Sequence, residues 1–317
     1  MASCNWGYFG ETGPQGWYKS FPQAGGKRQS PIDIQKKAVQ YDTKLAEKPL
    51  KICYDPNRTK SLINNGLTFR VDIDACDSNL SGGPLDEKYQ LVQFHAHWGS
   101  KDEVGAEHTF DGKQYSAEVH LVHWNTEKFK SVGDAIKEDR GIAVLGSFLK
   151  IGSHHAGFDK LIPFLRKVQK KGSQTTIEGG FDPSCLLPDN KEDYYTYEGS
   201  LTTPPCYESV TFILFNDAVE VSPEQLQALR DLLTHSEEKA PCDGHDHIVD
   251  NYRPVCPTNG RVVRLRSLPR NVILRRVPPF YFLFSCVWGF KLERIVTYIS
   301  TTGLELYSFL RNNNHKQ

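Results

Sequence analysis

The sequence carries no net charge: 38 basic and 38 acidic residues cancel over 317 positions. Without an excess of either sign there is no field to steer a polynucleotide or an acidic partner, so nucleic-acid binding is not expected. No basic start followed by an apolar run opens the chain, which begins MASCNWGYFGETGPQGW; a secretory signal is therefore not expected either. The same stretch is not Arg-rich and acid-poor, which argues against a transit peptide. Eight cysteines (Cys4, Cys53, Cys76, Cys185, Cys206, Cys242, Cys256 and Cys286) show no CxxC spacing. They read as free thiols in a reducing compartment, with the cytoplasm as the expected address. No apolar run reaches the ~20 residues of a bilayer-spanning helix. Internal repeats and low-complexity blocks are missing, and helical periodicity is scarce. What remains, with 25 Gly and 18 Pro, is a soluble, loop-rich chain long enough to bury a sizeable core.

Strand-like runs dominate between about Ser61 and Phe215: SLINNGLTFRVDI, YQLVQFHAHWG, QYSAEVHLVHWN, GIAVLGSFL, YTYEGSLTTPP and SVTFILF. Turn-forming stretches such as SGGPLDEK and TFDGKQY separate them, which is the spacing of a large sheet. Two segments read as helices. One is FDKLIPFLRKVQ near residue 160, and the other is SPEQLQALRDLL, where Ser222 precedes Pro and Glu as a cap would.

LVQFHAHWGS, Leu91–Ser100, places two histidines one residue apart within such a run. On a strand His95 and His97 share a face and can approach one ion, although packed core histidines show the same pattern. A third imidazole from a neighbouring strand would leave a tetrahedral zinc with one open position. EVHLVHW offers His120 and His123 on opposite faces. His120 shares its face with Glu118, which can hold its second ring nitrogen, as Gln93 can for His95. His123 reads as a buried, hydrogen-bonded core histidine, and His108 as a structural one beneath the site. His154–His155 and His245–Asp246–His247 read as solvated surface.

QSPIDI (Gln29–Ile34), NNG (Asn64–Gly66), GGPLD, QFHAHWGS, EHT (Glu107–Thr109), AEVHLVHWN, GIAVLG, YEGSLTTPPC, VSPEQL and NYRP (Asn251–Pro254) together resemble the α-class carbonic anhydrases, in the family's order and spacing. The likeness runs from about Trp6 to Leu265 and is closest to the cytosolic branch. It implies a mainly β fold: a single domain, residues 1–265, on a large, mostly antiparallel twisted sheet with a few short helices and a conical cavity. It implies reversible hydration of carbon dioxide to bicarbonate and a proton. It assigns Zn2+ to His95, His97 and His120, with water as fourth ligand, and gives Gln93 and Glu118 the supporting role. Thr202 matches the threonine that orients the metal-bound oxygen, and Glu107 the carboxylate that receives its hydroxyl proton. Val122, Val144, Leu201, Val210 and Phe212 match the apolar wall for carbon dioxide. A monomer, open to sulfonamide-type and anion inhibitors, is the family expectation.

The chain departs from that pattern in places. Along the proton path, with Tyr8 and Asn65, the position of the usual shuttle histidine is Leu67, which cannot carry a proton. Thr203 fills the other cavity position where some relatives place a histidine. The expectation is slowed proton release. Phe212 and Tyr252 stand where tryptophans are usual, and Gly25–Gly26 removes the partner with which Cys206 would form the disulfide of secreted relatives. The segment 266–317 matches nothing recognised: it holds 8 basic and 2 acidic residues, leaving 30 and 36 before it, and the apolar run VPPFYFLFSCVWGF. It reads as an added extension, with a membrane-surface or partner-binding element, or an alternative terminus, as the other readings. The competing reading of the whole is a little-active binding module of the same family. Such relatives typically lose a zinc histidine, and this chain keeps all three.

Overall fold

Alternation in Tyr89–Trp98 and Ala117–Asn125 is realised as two long strands at the centre of a thirteen-stranded sheet. The computed structural model describes residues 6–74, 77–236 and 245–266. What was expected of the extension lies outside the described residues, apart from Arg266. Strands β1 Asp33–Ile34, β2 Gln40–Tyr41, β3 Lys51–Cys53, β4 Thr59–Asn64, β5 Phe69–Ile73, β6 Asn79–Ser81, β7 Tyr89–Trp98 and β8 Thr109–Phe110 occupy the first part. They are followed by β9 Ala117–Asn125, β10 Ile142–Ile151, β11 Gln174–Thr176, β12 Tyr194–Gly199, β13 Val210–Phe215, β14 Val219–Val221 and β15 Arg264–Leu265.

The main path through the sheet runs β11-β4-β5-β7-β9-β10-β13-β12-β15-β2. Most of its pairs are antiparallel; β10 with β13, β10 with β14 and β15 with β2 are parallel, so the sheet is mixed. One irregularity decides which face carries which residues. Leu91 opposes His123 whereas Gln93 opposes Val122, so Val92 is an extra residue in β7. A bulge of one residue reverses the alternation beyond it. Leu91, Phe94, Ala96 and Trp98 therefore share the buried face with Val119 and Leu121. Gln93, His95 and His97 share the opposite face with Val122, His120 and Glu118.

Each face covers its own core. One cluster is built on Leu91, Phe94, Leu121, Leu145 and Ile213, the other on Val144, Phe148, Tyr197, Phe212 and Leu214. The helices are short. Pro223–Arg230 has a full capping box: Gln225 N–H donates to Ser222 Oγ, and the Gln225 side chain accepts from Ser222 N–H. The run near residue 160 splits into Ala156–Asp159 and Ile162–Lys167, because Pro163 has no N–H with which to continue the first helix. Arg266 is buried: its guanidinium donates to the Leu45 and Glu192 carbonyls and lies over the Tyr194 ring. Among the described residues no helix is long and apolar enough to cross a membrane.

Candidate metal centre

His95 and His97 rise from adjacent rungs of β7, and His120 stands directly opposite His95 on β9. The three rings close on one another with centroid separations of 5.1, 5.4 and 4.9 Å. One nitrogen from each lies within 4.8 Å of the others. The second nitrogen of each ring is occupied elsewhere: His95 Nδ1 donates to Gln93 Oε1 (2.9 Å), His97 Nδ1 to the Asn251 carbonyl (2.8 Å) and His120 Nε2 to Glu118 Oε1 (2.7 Å). Those bonds fix three tautomers and leave three lone pairs facing one point. His97 Nε2 is buried there with no hydrogen-bond partner. An orphaned imidazole nitrogen inside a folded protein is costly unless a ligand takes it up, and a metal ion fits the donor set. Burial, helped by the mutual repulsion of the rings, holds His95 well below the usual imidazole range, and burial lowers His97 to about 4. Both are therefore neutral, the form that binds metal.

Glu118 is the hub behind the triad. Its Oε1 accepts from His120 and from His108 Nδ1 (2.8 Å), and its Oε2 from the backbone N–H of Glu107 and His108 (2.9 and 2.8 Å). Burial would raise its carboxyl, but His108 and His120 outweigh it and hold the group well below the usual range. Gly146, opposite His120 on β10, makes room: a Cβ there would sit 2.4 Å from Leu214 Cδ2 and 3.3 Å from Glu118 Oε1. His108 is buried and passes its other nitrogen to the Tyr197 hydroxyl (2.7 Å), as a structural histidine would.

Glu107 faces the triad from the other side, with Oε2 at 3.4 Å from His97 Nε2. Its other oxygen accepts from Arg253 N–H (2.9 Å). Burial pushes its carboxyl up to about 7, with His120, Arg253 N–H and the Thr202 hydroxyl pulling it down and Glu118 pushing it up. A cation held by the triad would favour the ionised form.

Across the sheet, Val122, Val144 and Phe212 stand in one row, and Ile142 opposes Val210 in the next. The Phe212 ring lies 5.9 Å from that of His120 and stacks on Tyr197. Leu201 packs against the same cluster. A cavity of about 140 Å³ opens at the triad, bounded by Tyr8, Asn65, Leu67, Arg70, Gln93 and Thr203. Asn65 is engaged locally, its Oδ1 accepting from the N–H of Leu67 and Thr68.

Three supporting residues were not singled out from the sequence as site residues. Asn251 binds His97 through its carbonyl, Trp98 N–H through its side chain, and the Leu67 carbonyl as a donor. Arg253 braces Glu107 while its guanidinium binds Gln29, Ser30 and Ala24. Both lie in NYRP, and Gly146 closes GIAVLG, so those blocks were the available signal. Two expectations need correction. His155 is not simply solvated: its Nδ1 caps a helix by accepting from Phe158 N–H (2.9 Å). His245 is half-buried, its ring stacked on Phe9 near the start of the chain, whereas His247 is exposed as expected and borders the same pocket.

A mostly β mixed sheet presenting three converging imidazoles, with their outer nitrogens bound, defines a metalloenzyme of the carbonic anhydrase type. Comparison agrees: the family model for eukaryotic-type carbonic anhydrase matches residues 12–267. The chain belongs to that family. It is 44% identical over 266 residues to carbonic anhydrase 1 of Mus musculus, covering 83% of this chain and 99% of the relative. It is 45% identical over 261 residues to carbonic anhydrase 3 of Rattus norvegicus, covering 82% and 97%. It is thus a carbonate dehydratase, a lyase whose substrates are carbon dioxide and bicarbonate.

Proposed function

We propose that the chain hydrates carbon dioxide with zinc held by His95, His97 and His120, and that proton release is its slow step. The observation that carries the zinc assignment is His97 Nε2, buried and without a partner beside two further imidazole lone pairs. When bound, zinc supplies a Lewis acid that makes water acidic near neutrality, a property established for carbonic anhydrases as a class. Three neutral ligands leave its charge uncompensated, which favours that chemistry. Glu107 takes the proton of the Thr202 hydroxyl into a hydrogen bond, so the threonine oxygen is left to accept and selects a nucleophile that can donate. Thr202 N–H serves as donor to bicarbonate or an inhibitory anion. The row Val122, Val144 and Phe212, with Leu201 and Val210, holds carbon dioxide, which has no dipole to be oriented by polar groups.

Leu67 occupies the expected shuttle position, so no imidazole stands there to carry the product proton. Cytoplasmic residence is supported by the free thiols Cys53, Cys185, Cys206 and Cys256. Stopped-flow hydration in dilute and in imidazole-type buffer tests the kinetic part: kcat should rise with buffer and kcat/KM should not. A fast enzyme indifferent to buffer would contradict it.

A further inference from the structure

Every turnover of the proposed hydration converts carbon dioxide and water to bicarbonate and one proton, which must reach solvent. The inner cavity offers that proton little. Apart from the metal ligands, it is bounded by Tyr8, Asn65, Leu67, Arg70 and Thr203, among others. Tyr8 is no base: burial, reinforced by Glu107 and Cys206, holds its phenol well above the usual range. Tyr8 and Leu67, however, are shared. They also bound a second cavity of about 240 Å³, which none of the three zinc histidines lines. The two side chains form a partition between an inner and an outer chamber.

The outer chamber holds two imidazoles, His245 and His247. Both are built in. The His245 ring stacks on Phe9 with centroids 3.9 Å apart and planes 6° apart, and its carbonyl accepts from Thr234 Oγ1 at 2.7 Å. His247 Nδ1 donates to the Arg230 carbonyl at 2.9 Å, which fixes the tautomer and leaves Nε2 as a proton acceptor. Between them Asp246 has a buried carboxylate oxygen, Oδ1, without a hydrogen-bond partner. Among the described residues, charged groups at this corner include Lys171, whose side chain lies over Gly66, and Arg230, tied to Asp102 at 2.9 Å.

We propose that His245 and His247 collect the product proton, receiving it through water across the Tyr8–Leu67 partition and passing it to buffer. The step is a proton transfer alone: a water O–H breaks, an imidazole N–H forms, and the imidazolium then gives the proton to external base. It rests on the hydration reading above. It also accounts for slow rather than absent proton release, since the acceptor stands one chamber further out than an imidazole at position 67 would.

The test compares the zinc-loaded full chain with the double variant His245→Asn/His247→Asn and with His154→Asn, an exposed histidine paired with Asp159 elsewhere. In dilute buffer kcat of the double variant should fall roughly tenfold, less than the ~10²-fold of a directly bonded acid–base group, because water carries the proton part of the way. Its kcat/KM and zinc content should not change, and imidazole should restore kcat. Adding Leu67→His to the double variant should restore kcat without imidazole. An unchanged kcat in the double variant, or an equal loss in His154→Asn, overturns the proposal. A wild-type chain that binds zinc and shows no hydration overturns the hydration reading instead, and the proton pair with it.

Discussion

Replacing Glu118 by glutamine preserves the size of the side chain and removes both its charge and half of its accepting capacity. The carboxylate receives four N–H groups, two on each oxygen. An amide has one oxygen. If that oxygen keeps His108 and His120, the amide NH2 points at the backbone N–H groups of Glu107 and His108, donor against donor. If it turns to the backbone instead, the NH2 meets the two imidazoles. His120 can then satisfy it only by moving its own proton from Nε2 to Nδ1, the nitrogen that faces His95 and His97. The first orientation leaves two buried backbone donors unpaired, and the second costs the triad the tautomer that the carboxylate held in place. Loss of such a supporting partner weakens metal binding ~10–100-fold, or about 1.4–2.7 kcal/mol. Leaving one or two buried donors unpaired costs a further ~1–3 kcal/mol each in folding. Competition with a zinc chelator measures the first quantity and denaturant unfolding of the metal-free chain the second. Zinc affinity and stability both equal to wild type would refute the hub assigned to Glu118.

Further outcomes follow from the same geometry. Leu67→His should raise kcat in dilute buffer by about tenfold or more and leave kcat/KM unchanged, read by stopped flow; no gain would mean that the proton leaves by a route independent of this position. Gly146→Val forces atoms into Leu214 and Glu118, so it should destabilise the fold by about 1–3 kcal/mol and loosen zinc, measured by thermal unfolding and chelator competition. Burial lowers His123 to about 3, well below the ordinary imidazole value of about 6.5. The folded state then binds fewer protons than the unfolded one in that window. Stability from this group is full above about pH 6.5 and declines as pH falls toward 3, by up to roughly 5 kcal/mol. His123→Gln should flatten that slope in pH-dependent unfolding, and identical slopes in the two chains would contradict the assignment.

Much of this was legible because strand alternation is a local property. HAH in β7 and the opposite faces of His120 and His123 follow from spacing alone, and His123 is buried with its Nε2 at 2.8 Å from the Tyr54 hydroxyl. The bulge at Val92 was not legible: one extra residue in ten leaves no mark on composition, yet it decides that Leu91 packs in the core while Gln93 faces the cavity. Contacts of long sequence separation were equally silent. His97 is oriented by Asn251, 154 positions away, and Glu107 by Arg253. The polar stretch His245–Asp246–His247 looks like exposed loop throughout, yet Phe9 is laid against His245 while His247 stays exposed. Gly146 closes the block GIAVLG, but its reason, the room it leaves for Leu214 and Glu118, is visible only in three dimensions.

If the converging lone pairs of His95, His97 and His120 hold the zinc on which hydration depends, metal and activity must leave and return together. The most direct test measures zinc per chain and carbon dioxide hydration on one preparation, before and after chelation and after zinc is returned, alongside His97→Asn. A single zinc per chain, activity that leaves and returns with it, and loss of both in the variant are the predicted results. Hydration that survives complete removal of zinc, or a variant that binds zinc as tightly as wild type, would contradict the account.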